Sequence, residues 1–160
     1  MIPSPSLLNK LLENALAATR LEQRQNGSMS SLTSPNPLDF RGARRSMSVF
    51  PTAFIGCCLG QIDHPEAKTI SGKTARYLAG QACRHGSLNY WQRDSADSKS
   101  TPYPDDLDDT ACAWAAICQS APSLLDGNVQ AKLVRLLTAT ESTAGGPYGT
   151  WLVSHESADS

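Results

Sequence analysis

The sequence predicts an all-α fold built from helical-hairpin repeats, and three observations carry that prediction. Apolar residues recur at helical spacing in five segments, no segment alternates strongly enough to read as a strand, and two landmarks return at one interval. The first landmark is a glycine turn. Gln23 to Met29 (QRQNGSM) returns as Gln81 to Leu88 (QACRHGSL) and more loosely as Glu141 to Tyr148 (ESTAGGPY). Gly27, Gly86 and Gly145 stand 59 residues apart (86 − 27 and 145 − 86). The second landmark is a helix start. Phe50 to Cys58 is matched by Leu107 to Ala116, with Thr110 standing 58 residues after Thr52 (110 − 52).

The elements follow in order. Leu7, Leu8, Leu11, Leu12, Ala15, Leu16, Ala18 and Leu21 mark one helical face, and Asn26-Gly27 is a good helix stop. The connection from Ser28 to Ser48 carries Pro35, Pro37 and the basic run Arg41, Arg44, Arg45, and reads as a loop. Residues 51–60 form a short helix, apolar nearly all round, which suits an inner helix packed on several sides. Ala67, Ile70, Thr74, Tyr77, Leu78 and Gln81 give an amphipathic helix over 66–83. Residues 92–104 form a second polar loop, and 109–119 a second inner helix. Val129, Leu133, Val134, Leu136 and Leu137 mark a last outer helix over 128–141. Each unit is then an outer helix, a glycine turn, a loop and an inner helix, with units of about 7–48, 49–104 and 105–160 in a single domain.

Composition narrows the function classes. At 160 residues, with 40% apolar and 18% charged residues, the chain can bury one ordinary core. A net charge of −1 supplies no general attraction to nucleic acid or to an anionic membrane. The most apolar segment, Phe50 to Leu59, is too short to span a bilayer, and the N-terminus lacks the pattern of a signal peptide, so the expectation is a soluble cytoplasmic protein. The five cysteines include no CxxC pair. Cys57, Cys58, Cys112 and Cys118 lie in apolar helical patterns, where a free thiol behaves as a small hydrophobe.

The chemistry concentrates in Asp105-Asp106-Leu107-Asp108-Asp109-Thr110, at the head of the second inner helix. Three uses compete for it. Clustered carboxylates raise one another's pKa and can hold a proton near neutral pH. Oxygen ligands can instead bind Mg²⁺, and Asp105-Asp106-Leu107-Asp108-Asp109 fits D-D-x-x-D, the metal motif of class I terpene synthases. That motif belongs within a long helix, which Pro102 and Pro104 oppose. An aspartate at a helix start also serves as a cap, worth about 0.5–1 kcal/mol, although one suffices for that. Thr52 heads the equivalent helix with no acid beside it.

Hairpins of this period, the run Gln81 to Trp91 (QACRHGSLNYW) and Asp106 to Ala111 (DLDDTA) together resemble the α/α-toroid superfamily. That superfamily holds squalene-hopene cyclases, class II diterpene cyclases and protein prenyltransferase β subunits. Gln81 to Trp91 is similar to its Q-x-x-x-G-S-W repeat, and Asp106 to Ala111 to the D-x-D-D-T-A signature of class II cyclases. The resemblance implies an incomplete ring of about three units that binds an isoprenoid; no cofactor is expected, with Mg²⁺ left open by the D-D-x-x-D spacing. It makes Asp108 the general acid that protonates an alkene or epoxide, with Asp106 and Asp109 raising its pKa and orienting it. It makes Trp91, Trp114, Tyr90 and Tyr148 candidates for the aromatic walls that stabilise the resulting carbocation. Catalytic members are longer and form closed rings. The expectation for this chain is therefore a fragment or a protomer that pairs with another copy, and the alternative function is a non-catalytic repeat protein binding an apolar ligand or a partner protein. His64, His85 and His155 read as turn or tail residues, Ser28 and Ser87 as turn residues, and Arg41, Arg44 and Arg45 as a solvated basic loop.

Overall fold

A computed structural model describes residues 4–36, 38–141 and 149–152. Gly145, Tyr148 and His155 lie outside them, and with them the third copy of the glycine turn. Mostly helical, the chain places α1 at Pro5–Glu22, α2 at Val49–Gly60, α3 at Pro65–Gln81, α4 at Ala96–Ser100, α5 at Leu107–Ser120 and α6 at Gly127–Thr140. The five expected helices are all present, and α4 forms inside the polar loop. Local chemistry explains the starts. Ser4 accepts from the Leu7 amide at 3.3 Å with Pro5 in the first turn, and Asp126 accepts from the Val129 amide at 2.8 Å. Among the described residues no helix is long and apolar enough to cross a membrane.

Two expectations need correction. The first helix does not run to Asn26-Gly27: it ends at Glu22, and Gln23 is already extended. Gln23 turns to pair with Met29, and Gly27, at φ 95°, shapes the tight turn between them. Strands, which the sequence did not suggest, occur as two small antiparallel pairs. β1 (Ser31–Thr33) pairs with β2 (Arg44–Ser46), and β3 (Asp105–Asp106) with β4 (Trp151–Leu152). Strands of two or three residues are shorter than the window in which alternation can be seen.

The core forms where α2, α3 and α5 pack on one another. Val49, Ala53, Ala75, Leu78, Leu88, Ala113, Ala116 and Ile117 are buried there, with Leu133 of α6 against them. Leu16, Met29, Leu59, Ala67 and Ile70 form a second cluster, which holds α1. Gly56 sets the spacing of the helices: a Cβ there would lie 2.9 Å from Thr74 Cγ2 and 3.1 Å from Ala116 Cβ. Small residues at this crossing let α2 approach α3 and α5 together.

The two described glycine turns make the same bonds. The Arg24 amide donates to the Ser28 carbonyl at 2.9 Å, as the Cys83 amide does to Ser87. The Met29 amide donates to Thr52 Oγ1 at 2.9 Å, as the Leu88 amide does to Thr110 Oγ1. Each threonine hydroxyl also contacts the carbonyl of the same partner. Gly27 sits against the backbone of α3 at Lys73 and Thr74, and Gly86 against Leu133 of α6.

Candidate functional site: the acidic head of α5

Each aspartate of the run has a different environment. Asp105, in β3, is half-buried and accepts from Ser87 Oγ at 2.5 Å and Asn89 Nδ2 at 3.2 Å. Asp106 caps α5: it is buried, and its Oδ1 accepts from the Asp109 amide at 2.7 Å. Its own amide donates to the Leu88 carbonyl at 3.2 Å, which ties the helix start to the second glycine turn. Asp108 is exposed, and Asp109, the next residue, is 2% exposed. A helix turns by about 100° per residue, so neighbouring carboxylates face solvent and core respectively.

Asp109 carries the electrostatic consequence. Neither of its carboxyl oxygens has a hydrogen-bond partner among the described residues. Burial first, then the nearby Asp106 carboxylate, then Asp108 and Asp105, push its pKa up to about 8. The sequence led us to expect Asp106 and Asp109 to act on Asp108. Helical phase buries Asp109 and leaves Asp108 exposed, so the desolvation that raises a carboxyl pKa acts on Asp109. Beside it burial raises the Cys112 thiol to about 12, with neighbouring Cys57 adding to the rise.

The aromatic candidates divide. Trp114 is buried and its Nε1 donates to the Gly86 carbonyl at 2.6 Å, so it braces the glycine turn. Tyr90 and Trp91 join Tyr103 and Trp151 in a separate cluster, with the Trp91 and Tyr103 rings stacked at 6.0 Å. This cluster borders a cavity of about 230 Å³ lined by Cys83, Ser87, Asn89, Trp91, Arg93, Tyr103 and Asp105. Of the four acids, Asp105 alone lines it. Sequence reasoning missed Phe50 and Phe54, which are exposed on α2 with rings stacked at 6.2 Å. With Cys58 they form a stripe at i, i+4 and i+8, and Asp108, Ala111, Ala115, Cys118 and Gln119 are the exposed residues of α5. Contacts of Cys57 with Cys112 and Gly56 with Ala116 run along the seam between the helices, and the exposed Phe50, Phe54, Cys58, Ala111, Ala115 and Cys118 make up the apolar face of this helix pair, with Asp108 at the head of α5. The signal was legible as a four-residue spacing of aromatics in the inner helix.

The remaining candidates are engaged elsewhere. Arg41 pairs with Asp39 at 2.8 Å, Arg44 with Asp97 at 2.9 Å and Arg45 with Glu22 at 3.2 Å. Three separate carboxylates thus spread the basic loop. His64 caps α3, its Nδ1 accepting from the Glu66 amide at 3.2 Å. Among the described residues no three His, Cys, Asp or Glu side chains converge to hold a metal ion. The D-D-x-x-D spacing fails to build a ligand set because Asp105 turns to Ser87, Asp106 to the helix amide, Asp108 to solvent and Asp109 inward.

No protein-family model, curated protein or solved structure matches this chain.

Proposed function

We propose that the chain is a class II terpenoid cyclase-like protein of α/α-toroid repeats, protonating an isoprenoid alkene or epoxide to start carbocation cyclisation. The observation that carries this reading is the buried Asp109, whose carboxyl oxygens have no hydrogen-bond partner among the described residues and whose pKa burial and the Asp106 carboxylate push up to about 8, one residue from the exposed Asp108. Asp109 keeps a proton in the cluster, and Asp108 is the carboxyl group a substrate on the apolar face can reach. A hydrocarbon laid over Asp108 would exclude water from the carboxyl group, as the chemistry requires. Proton transfer to an alkene carbon or an epoxide oxygen then leaves a carbocation, which the exposed rings of Phe50 and Phe54 would stabilise. The matching bonds of Thr52 with Met29 and Thr110 with Leu88 support the repeat reading.

Asp108→Asn tests the acid. We expect loss of cyclised product from squalene and geranylgeranyl diphosphate, assayed by gas chromatography with mass detection, and an unchanged helical circular dichroism signal. Turnover that survives the substitution removes Asp108 from the mechanism. A second reading, a non-catalytic repeat protein that binds an apolar ligand, is favoured by the capping role of Asp106. It predicts isoprenoid binding, read by quenching of tryptophan fluorescence, with no product from the unaltered chain.

A further inference from the structure

We infer that Cys57 of α2 and Cys112 of α5 form a reversible disulfide between the two inner helices when the protein meets a small disulfide oxidant. The two sulfurs lie 3.8 Å apart, and the Cys57 thiol donates to the Cys112 carbonyl at 3.1 Å. Closing that gap to an S–S bond of about 2.05 Å brings the sulfurs roughly 1.8 Å nearer. The adjacent contact of Gly56 with Ala116 already brings the helices close, so little backbone movement is required.

The other thiols are placed differently. Cys58 and Cys118 are exposed on the apolar face, and Cys83 is held by Ser87 at 2.9 Å in the second glycine turn. Cys57 and Cys112 are half-buried, which keeps the seam within reach of a small reagent. In the first step one protein thiolate attacks a sulfur of the dialkyl disulfide, forming a mixed disulfide and releasing one alkylthiolate. The second protein thiolate then attacks the protein sulfur of that mixed disulfide and releases the other alkylthiolate. Two electrons pass from the cysteine pair to the reagent, and the two protons pass to the released thiolates. The bond would close across the seam of the apolar face, one turn from Asp109, and join residues 57 and 112 of a chain whose inner helices otherwise meet only by packing.

Hydroxyethyl disulfide at pH 8.5 provides the test, the alkaline pH increasing the small thiolate fraction of two thiols whose pKa burial raises. After blocking of free thiols and digestion with trypsin, mass spectrometry should find peptide 46–68 linked to peptide 100–132, and dithiothreitol should release the link. Each peptide carries two cysteines, so variants assign the bond. The link should persist in the C58S/C118S double variant and disappear in C57S and in C112S. Absence of the link from the unaltered protein, its survival in C112S, or its loss in C58S/C118S would overturn the assignment.

Discussion

The Asp109 carboxyl has a folded pKa of about 8 against 3.8 for a solvated aspartate, so folding and ionisation oppose each other there. The folded state binds a proton that the unfolded chain has released. Its contribution to stability is therefore fully present below pH 3.8, declines as pH rises, and is lost once pH has passed about 8. Asp109→Asn removes that dependence. We expect the variant to gain on the unaltered protein by about 3–4 kcal/mol between pH 5 and pH 8, as read by urea unfolding at the two values. An equal difference at both would contradict a retained proton. Asp106 has two effects that separate under substitution. Asp106→Ala should cost about 1 kcal/mol through loss of the cap. The same change should lower the Asp109 pKa, because a neighbouring negative charge has gone. An NMR titration of the Asp109 carboxyl carbon reads the second effect independently of the first.

At the scale of elements, Gly27 and Gly86 occupy like turns with unlike surroundings. Both adopt left-handed φ, 95° and 90°, so any side chain is strained at either. At Gly27 a Cβ would collide with the Lys73 carbonyl, which belongs to the backbone of α3 and cannot swing aside. At Gly86 it would meet Leu133 Cδ2 at 3.3 Å, the end of a side chain that can. Gly27→Ala should therefore destabilise the protein by more than Gly86→Ala, by about 1 kcal/mol or more in chemical denaturation. Equal costs would mean that α3 shifts to accept the methyl group. The glycine spacing was legible in the sequence because it repeats. The unequal costs were not, since they depend on whether backbone or side chain lies opposite each turn.

Across the whole molecule, the apolar face of α2 and α5 is the feature with most consequence for behaviour in solution. Phe50 and Phe54 are 40% and 55% exposed, whereas most of the α2 residues facing α3 and α5 are buried. Serine at both phenylalanines should lower binding of the dye 1-anilinonaphthalene-8-sulfonate severalfold and lower the unfolding midpoint only moderately, because about half of each residue's surface is already exposed. A large loss of stability would show instead that the two rings hold α2 in place. The face also relates the proposed chemistry to the fold, since Asp108 is exposed at the head of α5 and the two rings are exposed on α2, the helix packed beside it. Trp114, a candidate for the same role, faces the opposite way into the core.

The sequence by itself determined the helices, the recurring turns and the place of the acids at a helix start, because these depend on periodicity, glycine and proline within a few residues of one another. Tertiary structure alone decided which acid is buried and which aromatics are left exposed. Burial separates Asp109 from Asp108, and burial is a property of what packs against a helix: here α2 and α3 cover one side of α5 and leave the other open. The short strands that frame the acidic run are likewise tertiary, since β3 is held by Leu88 and by β4, residues that adjoin it only after the chain has folded.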